Sequence, residues 1–164
     1  MISIRAATDK DVPQMLEIYN EIIENSTAIF QYEPRTLAMH EEWFSKKKMD
    51  GYPVLVAEHE FEVVGFSTFG QFRNWQAYQF TVENSVYVRA DKRGVGIGKL
   101  LLAASIDAAR KMGLHSIIAS VVADNKASLL LHKGFGFTEV ACFREVGFKF
   151  NRWLDLCFLQ LMLA

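Results

Sequence analysis

The chain has 164 residues, 51% of them hydrophobic and 13% aromatic, which is enough to close one core and excludes a disordered chain. Its 18 Lys and Arg against 19 Asp and Glu leave a net charge of −1, which gives no electrostatic basis for binding nucleic acid or an anionic membrane. Cys142 and Cys157, without CxxC or CxxH spacing, exclude a dense disulfide framework and point away from a zinc site.

Residues 2–6, ISIRA, read as a strand, and Thr8-Asp9-Lys10-Asp11 has the shape of a capping box. Val12, Met15, Leu16, Ile18, Tyr19, Ile22 and Ile23 then follow helical spacing, with Pro13 suited to a first turn. A second helix is expected from Thr36 to Met49, with Trp43 and Phe44 inward, Lys46, Lys47 and Lys48 solvated, and Gly51 as its stop. Strands Pro53–Glu58 and Val63–Phe72 flank the charged turn EHEFE, and Phe80–Arg89 forms a third. Ile97–Met112 is Ala- and Leu-rich, ends on Arg110 and Lys111, and meets Gly113. Strand Ser116–Val122, helix Asn125–Lys133 and strands Phe137–Arg144 and Trp153–Leu163 complete the order. Strands outnumber crossover helices, so the class is α/β (α+β) with a mixed sheet and helices on both faces, in one domain over residues 1–164.

MISIRAATDKD lacks the layout of a secretory leader, and LDLCFLQLML is too short and too polar to cross a bilayer. A soluble cytoplasmic protein is therefore expected, with both cysteines reduced, buried and unreactive.

Arg93, Gly94, Val95, Gly96, Ile97 and Gly98 stand where a strand feeds a helix. Lys99 breaks the dinucleotide fingerprint G-x-G-x-x-G, and Arg93 and Leu100 break the P-loop. Unpaired amides at a helix start still favour an anion, and bare glycines let it approach. Arg89, Lys92, Arg93 and Lys99 add positive charge.

The R-G-x-G-x-G turn after a long strand resembles the acetyl-CoA pyrophosphate loop of the GNAT N-acetyltransferases, and the order of elements resembles that family over nearly the whole chain. Asn125, Ser128, Leu131 and GFGF resemble its second cofactor segment. NSTAIFQYEP, TVENSVYV and GFKFNRWLDL are similar to landmarks of the phosphinothricin and methionine sulfoximine (sulfone) acetyltransferase branch. The resemblance implies a mostly antiparallel sheet of about seven strands flanked by about four helices. It implies acetyl-CoA as co-substrate, held by Val86, Tyr87, Val88, the 93–99 turn, Asn125 and Ser128, and no metal. It also implies a homodimer in which the segment with Lys149, Asn151 and Arg152 takes part.

Acetyl transfer from a thioester to an amine needs a base for the amine and donors for the oxyanion, and an acid eases departure of the thiolate. Glu83, the carboxylate of an otherwise apolar strand, is the candidate base, although a strand Glu facing solvent is the common alternative. A bulge near Val86–Val88 would free backbone groups for the thioester arm. His132 is either the thiolate acid or a histidine on the helix surface. Arg73 suits the carboxylate of an α-amino acid. Trp75, Tyr78 and Phe30 are either pocket walls or core, and the resemblance adds Asn74, Asn84 and Ser85 to the substrate site. The expected substrate is a small amino-acid-like amine of the methionine sulfoximine, methionine sulfone or phosphinothricin type. Acetylation of another amine and a non-catalytic acyl-CoA sensor remain the alternatives.

Overall fold

The computed structural model describes residues 1–164. Its strands are β1 (Ile2–Ala6), β2 (Val54–His59), β3 (Glu62–Gln71), β4 (Thr81–Val88), β5 (Ser116–Val122), β6 (Thr138–Lys149) and β7 (Arg152–Met162). They form one seven-stranded sheet in the order β1-β2-β3-β4-β5-β7-β6, antiparallel everywhere except between β4 and β5. The helices are α1 (Val12–Asn25), α2 (Leu37–Met49), α3 (Ile97–Lys111) and α4 (Lys126–Gly134).

Two apolar layers sandwich this sheet. On one face Met15, Ile18, Ile22 and Ile23 of α1 and Phe44 of α2 pack on Val54, Val56 and Phe66. On the other, Leu102, Ile106 and Ala109 of α3 meet Phe69, Val82, Ile117 and Leu159, with Leu129 and Leu131 of α4 alongside. Strand alternation assigns each side chain of β4 to one layer. Tyr87 pairs with Phe66 and Glu83 with Gly70 on the α1/α2 face, whereas Asn84 pairs with Phe69 on the α3/α4 face.

The capping box at Thr8 and Asp11 forms, but it caps a 3-10 turn over Asp9–Asp11, and α1 follows from Val12. Arg5 binds both oxygens of Asp11 at 2.8 and 2.9 Å and also reaches Glu58, tying this turn to β1 and β2. Lys47 departs from the expected solvated row. Its ammonium donates to the Phe69 carbonyl at 2.9 Å, and burial pushes its pKa down to about 8. The last hairpin is longer than its alternation suggests, because register shifts between Glu139 and Ala141 and between Phe143 and Gly147 break the period of two. No helix is long and apolar enough to cross a membrane.

His40 is fully buried, stacks on Trp43 at 4.6 Å, and leaves Nε2 without a partner. Burial pushes its pKa down to about 4, below the usual value of 6.5. The unfolded chain therefore takes up a proton first as pH falls, so stability is lost from about pH 6.5 towards pH 4. Denaturant titrations at pH 7 and pH 5 should differ by roughly 1–2 kcal/mol from this residue alone. His40→Phe should flatten that slope; an unchanged slope would remove His40 as its source.

Candidate active site

The parallel seam between β4 and β5 is only three residue pairs long, from Thr81↔Ser116 to Glu83↔Ile118. Beyond Glu83 the strands separate, while β4 keeps its full pairing with β3 as far as Val88. A cleft of about 1080 Å³ opens there, lined by Glu83–Val88 on one side and Ala119–Val122 on the other. β4 carries no bulge against β3, and its pairing there is regular. Divergence of β5 does the same work, leaving the outer edge of β4 without a strand partner past Glu83.

The cleft has a mouth on each face of the sheet. On the α3/α4 side it meets the glycine turn, including Gly94, Gly96, Ile97 and Gly98, together with Lys92, Arg93, Asn125 and Ser128. Gly94 and Gly96 hold φ of +81° and +94°, a region that side chains with a Cβ rarely adopt. Gly96 thereby turns the chain directly into the first turn of α3. A Cβ on either would meet nothing within 4 Å, so the protein itself does not use this bareness. Arg93 is turned away from the cradle, donating to the Val88 carbonyl and pairing with Glu21 of α1 at 3.1 Å. Val95 and Lys99 are exposed and lie outside the cleft lining.

On the α1/α2 side the lining changes character. Glu83 accepts a hydrogen bond from the Ser120 hydroxyl at 2.8 Å. Around it stand Phe72, Arg73, Phe150, Arg152, Leu156 and Phe158, with the 26–30 loop opposite. Arg73 forms no ion pair and lies over the Phe72 ring at 5.0 Å, whereas Arg152 is paired with Asp124 at 3.0 Å. Phe30 belongs to this wall. Asn74, Trp75 and Tyr78 do not: Trp75 is 75% exposed, and Tyr78 closes a 3-10 turn against Phe72. A loop that projects from the β3–β4 connection carries its aromatics outward.

His132 is buried rather than on the helix surface. Its Nδ1 lies 2.8 Å from the Ser128 carbonyl, an acceptor only, so the proton sits on Nδ1. Nε2 then accepts from Asn84 Nδ2 at 3.1 Å, which leaves the Asn84 carbonyl oxygen buried and unpartnered at the cleft wall. Burial holds the His132 pKa below the usual histidine range, so the ring is neutral near pH 7. Asn125 caps α4 by accepting from the Ser128 amide at 3.3 Å, and Tyr87, half-buried in the cleft wall, has its phenol pushed up to about 12 by desolvation and stays protonated.

A model of the acetyltransferase (GNAT) domain matches residues 4–158. The chain belongs to the GNAT acetyltransferase family. It is 45% identical over 162 residues to the L-methionine sulfoximine/L-methionine sulfone acetyltransferase of Pseudomonas paraeruginosa, covering 98% of this chain and 94% of that one. The phosphinothricin N-acetyltransferase of Streptomyces coelicolor is 33% identical, with 97% and 95% covered. A phosphinothricin acetyltransferase of Sinorhizobium meliloti, solved with acetyl-CoA, superposes with a TM-score of 0.97 at 35% identity, covering 99% of this chain and 89% of that one. This acetyltransferase therefore carries the mixed sheet and four helices expected from its sequence. Ser120, Phe150, Leu156 and Phe158 also line the cleft, and none of them was among the residues expected there. The one hydroxyl within the apolar run 117–122 was the available signal for Ser120.

Proposed function

We propose that this acetyltransferase, acting as one domain in the cytoplasm, moves acetyl from acetyl-CoA directly to the α-amino group of a small amino acid. The substrates we expect are methionine sulfoximine, methionine sulfone or phosphinothricin. The observation that carries this reading is the two-mouthed cleft, with bare amides on one side of the sheet and a carboxylate on the other. The names of the relatives support the substrate class.

The residues fit the co-substrate. Gly94, Gly96 and Gly98 offer an anion cradle at the start of α3, and the unpaired edge of β4 at Val86–Val88 offers backbone partners to an extended arm. When bound, acetyl-CoA supplies the activated acetyl group at the narrow part of the cleft. Glu83 then takes the proton of the incoming ammonium, directly or through water, and the Ser120 hydroxyl fixes which carboxylate oxygen is free. Arg73, uncommitted to any ion pair, binds the substrate carboxylate, and Phe30 and Ser85 border the substrate, whereas Asn84 faces the α3/α4 side and is held by His132. The neutral His132 accepts from Asn84 in this arrangement, which suits it to positioning that amide better than to giving up a proton.

The exposed apolar residues Phe143, Val146, Phe148, Phe150 and Trp153 of the β6–β7 hairpin support a homodimer through this hairpin. A non-catalytic sensor has no use for a carboxylate held by a hydroxyl at the split of the sheet.

Gly98 provides the cleanest test of the cradle. A Cβ there meets only Leu131 at 3.5 Å and Val88 at 3.9 Å, ordinary contacts, and no unusual φ is imposed. Gly98→Val should weaken acetyl-CoA binding by about tenfold or more in calorimetry, with thermal stability nearly kept. An unaltered Kd would move the phosphates elsewhere. The activity itself is tested by mass-spectrometric detection of N-acetylated products from methionine sulfoximine, methionine sulfone, phosphinothricin, common amino acids, spermidine and short peptides. Acetylation confined to the first three establishes the reading. Products from other amines alone, or none with acetyl-CoA still bound, overturn it.

A further inference from the structure

Cys142 and Cys157 lie outside the chemistry described so far. They sit directly opposite one another on β6 and β7, with sulfurs 2.6 Å apart. Cys142 is exposed, contrary to its expected burial, because β6 is the outer strand of the sheet. Cys157 is 4% exposed and packs into the core layer beneath α3 and α4. Glu83 opens on the opposite face, so this pair and the acetyl-transfer site are separated by the sheet.

We infer that Cys142 and Cys157 form a dithiol site for small disulfides, closing to an internal disulfide by exchange. The balance is straightforward. The Cys142 thiolate attacks one sulfur of a small disulfide, the S–S bond breaks, and one small thiolate leaves. The Cys157 sulfur, already in contact, attacks Cys142 Sγ, the mixed disulfide breaks, and the second small thiolate leaves. The protein loses two protons and two electrons, and the small disulfide is reduced to two thiols.

Exposure fixes the order of these steps, since a reagent can reach only Cys142. Burial, together with a hydrogen bond from its own S–H to Cys142, holds the Cys157 thiol well above the usual range. It is therefore inert until Cys142 is derivatised. Contact between the sulfurs makes the second step intramolecular, so the mixed disulfide does not accumulate. Spacing alone does not reveal the pair, because fourteen residues separate the two cysteines and two register shifts intervene or adjoin.

The test treats the native protein, with a chelator present to keep cations off Glu139, Cys142 and Cys157, with dithiobis(nitrobenzoate), an aromatic disulfide whose released thiolate is coloured. The expected result is two aryl thiolates per chain, no retained aryl group, and a mass lower by two hydrogens. Cys157→Ser should stop at one thiolate and keep one aryl group. Cys142→Ser should barely react. Wild type that stops at a stable aryl adduct on Cys142, or does not react at all, overturns the inference. So does rapid labelling of Cys157 in Cys142→Ser.

Discussion

Glu83→Gln is expected to lower kcat by ~10²–10³-fold while leaving the Kd for acetyl-CoA within about twofold. The substitution is nearly isosteric, and the Ser120 hydroxyl still finds an oxygen acceptor at position 83. Glu83 lies on the α1/α2 face, away from the glycine cradle, so binding of the co-substrate has no reason to change. What is lost is proton acceptance from the ammonium. The pH–rate profile decides the matter: its acidic limb should disappear in the variant. If the limb persists with the same midpoint, Glu83 is not the base, and a fall in kcat alone would then reflect lost electrostatics.

Lys149→Met should have the second largest effect, first on stability and then on the amine site. Lys149 is 4% exposed, and its ammonium donates to the carbonyls of Ile23, Ser26 and Ile29 at 2.6, 2.8 and 2.9 Å. Ile23 belongs to the last turn of α1, where carbonyls lack helical partners and favour a cation. Removing the ammonium leaves three buried acceptors, a loss of about 3 kcal/mol or roughly 6–12 °C in Tm. The same clamp holds the segment that presents Phe30 to the cleft. Phe30 packs on Gly147 so closely that a Cβ there would lie 2.6 Å from its ring, and Tyr32 donates to the Phe148 carbonyl. Freed of Lys149, this segment should raise KM for the amine several-fold and leave Kd for acetyl-CoA unchanged. A lower Tm with both constants intact would confine Lys149 to stability.

Features that depend on one stretch of chain were legible in the sequence. Alternating glycines before an Ala- and Leu-rich helix mark the sharp turn into α3, where Gly96 holds φ +94°. Glu83 was visible because a charged residue in an apolar strand needs a reason. Features that depend on which chains meet were not legible. Ser120 becomes a partner of Glu83 only through the parallel seam, and Lys149 becomes a clamp only when α1 ends beside β6. The aromatics of the β3–β4 loop illustrate the reverse error. Trp75 and Tyr78 invite assignment to a pocket, but composition does not reveal the direction in which a loop projects.

The short seam between β4 and β5 has an engineering consequence. Three residue pairs, with the Thr81 and Ser116 hydroxyls 3.1 Å apart at its foot, join the two halves of the sheet at one end, as a spine joins the covers of a book. The gap at Val88 and Val122 is then an angle multiplied by a lever arm. A change of side-chain size at Thr81 or Ser116, neither of which lines the cleft, would alter the width available to the acyl group. On the proposed function, acyl-chain selectivity should therefore respond to substitutions made outside the pocket.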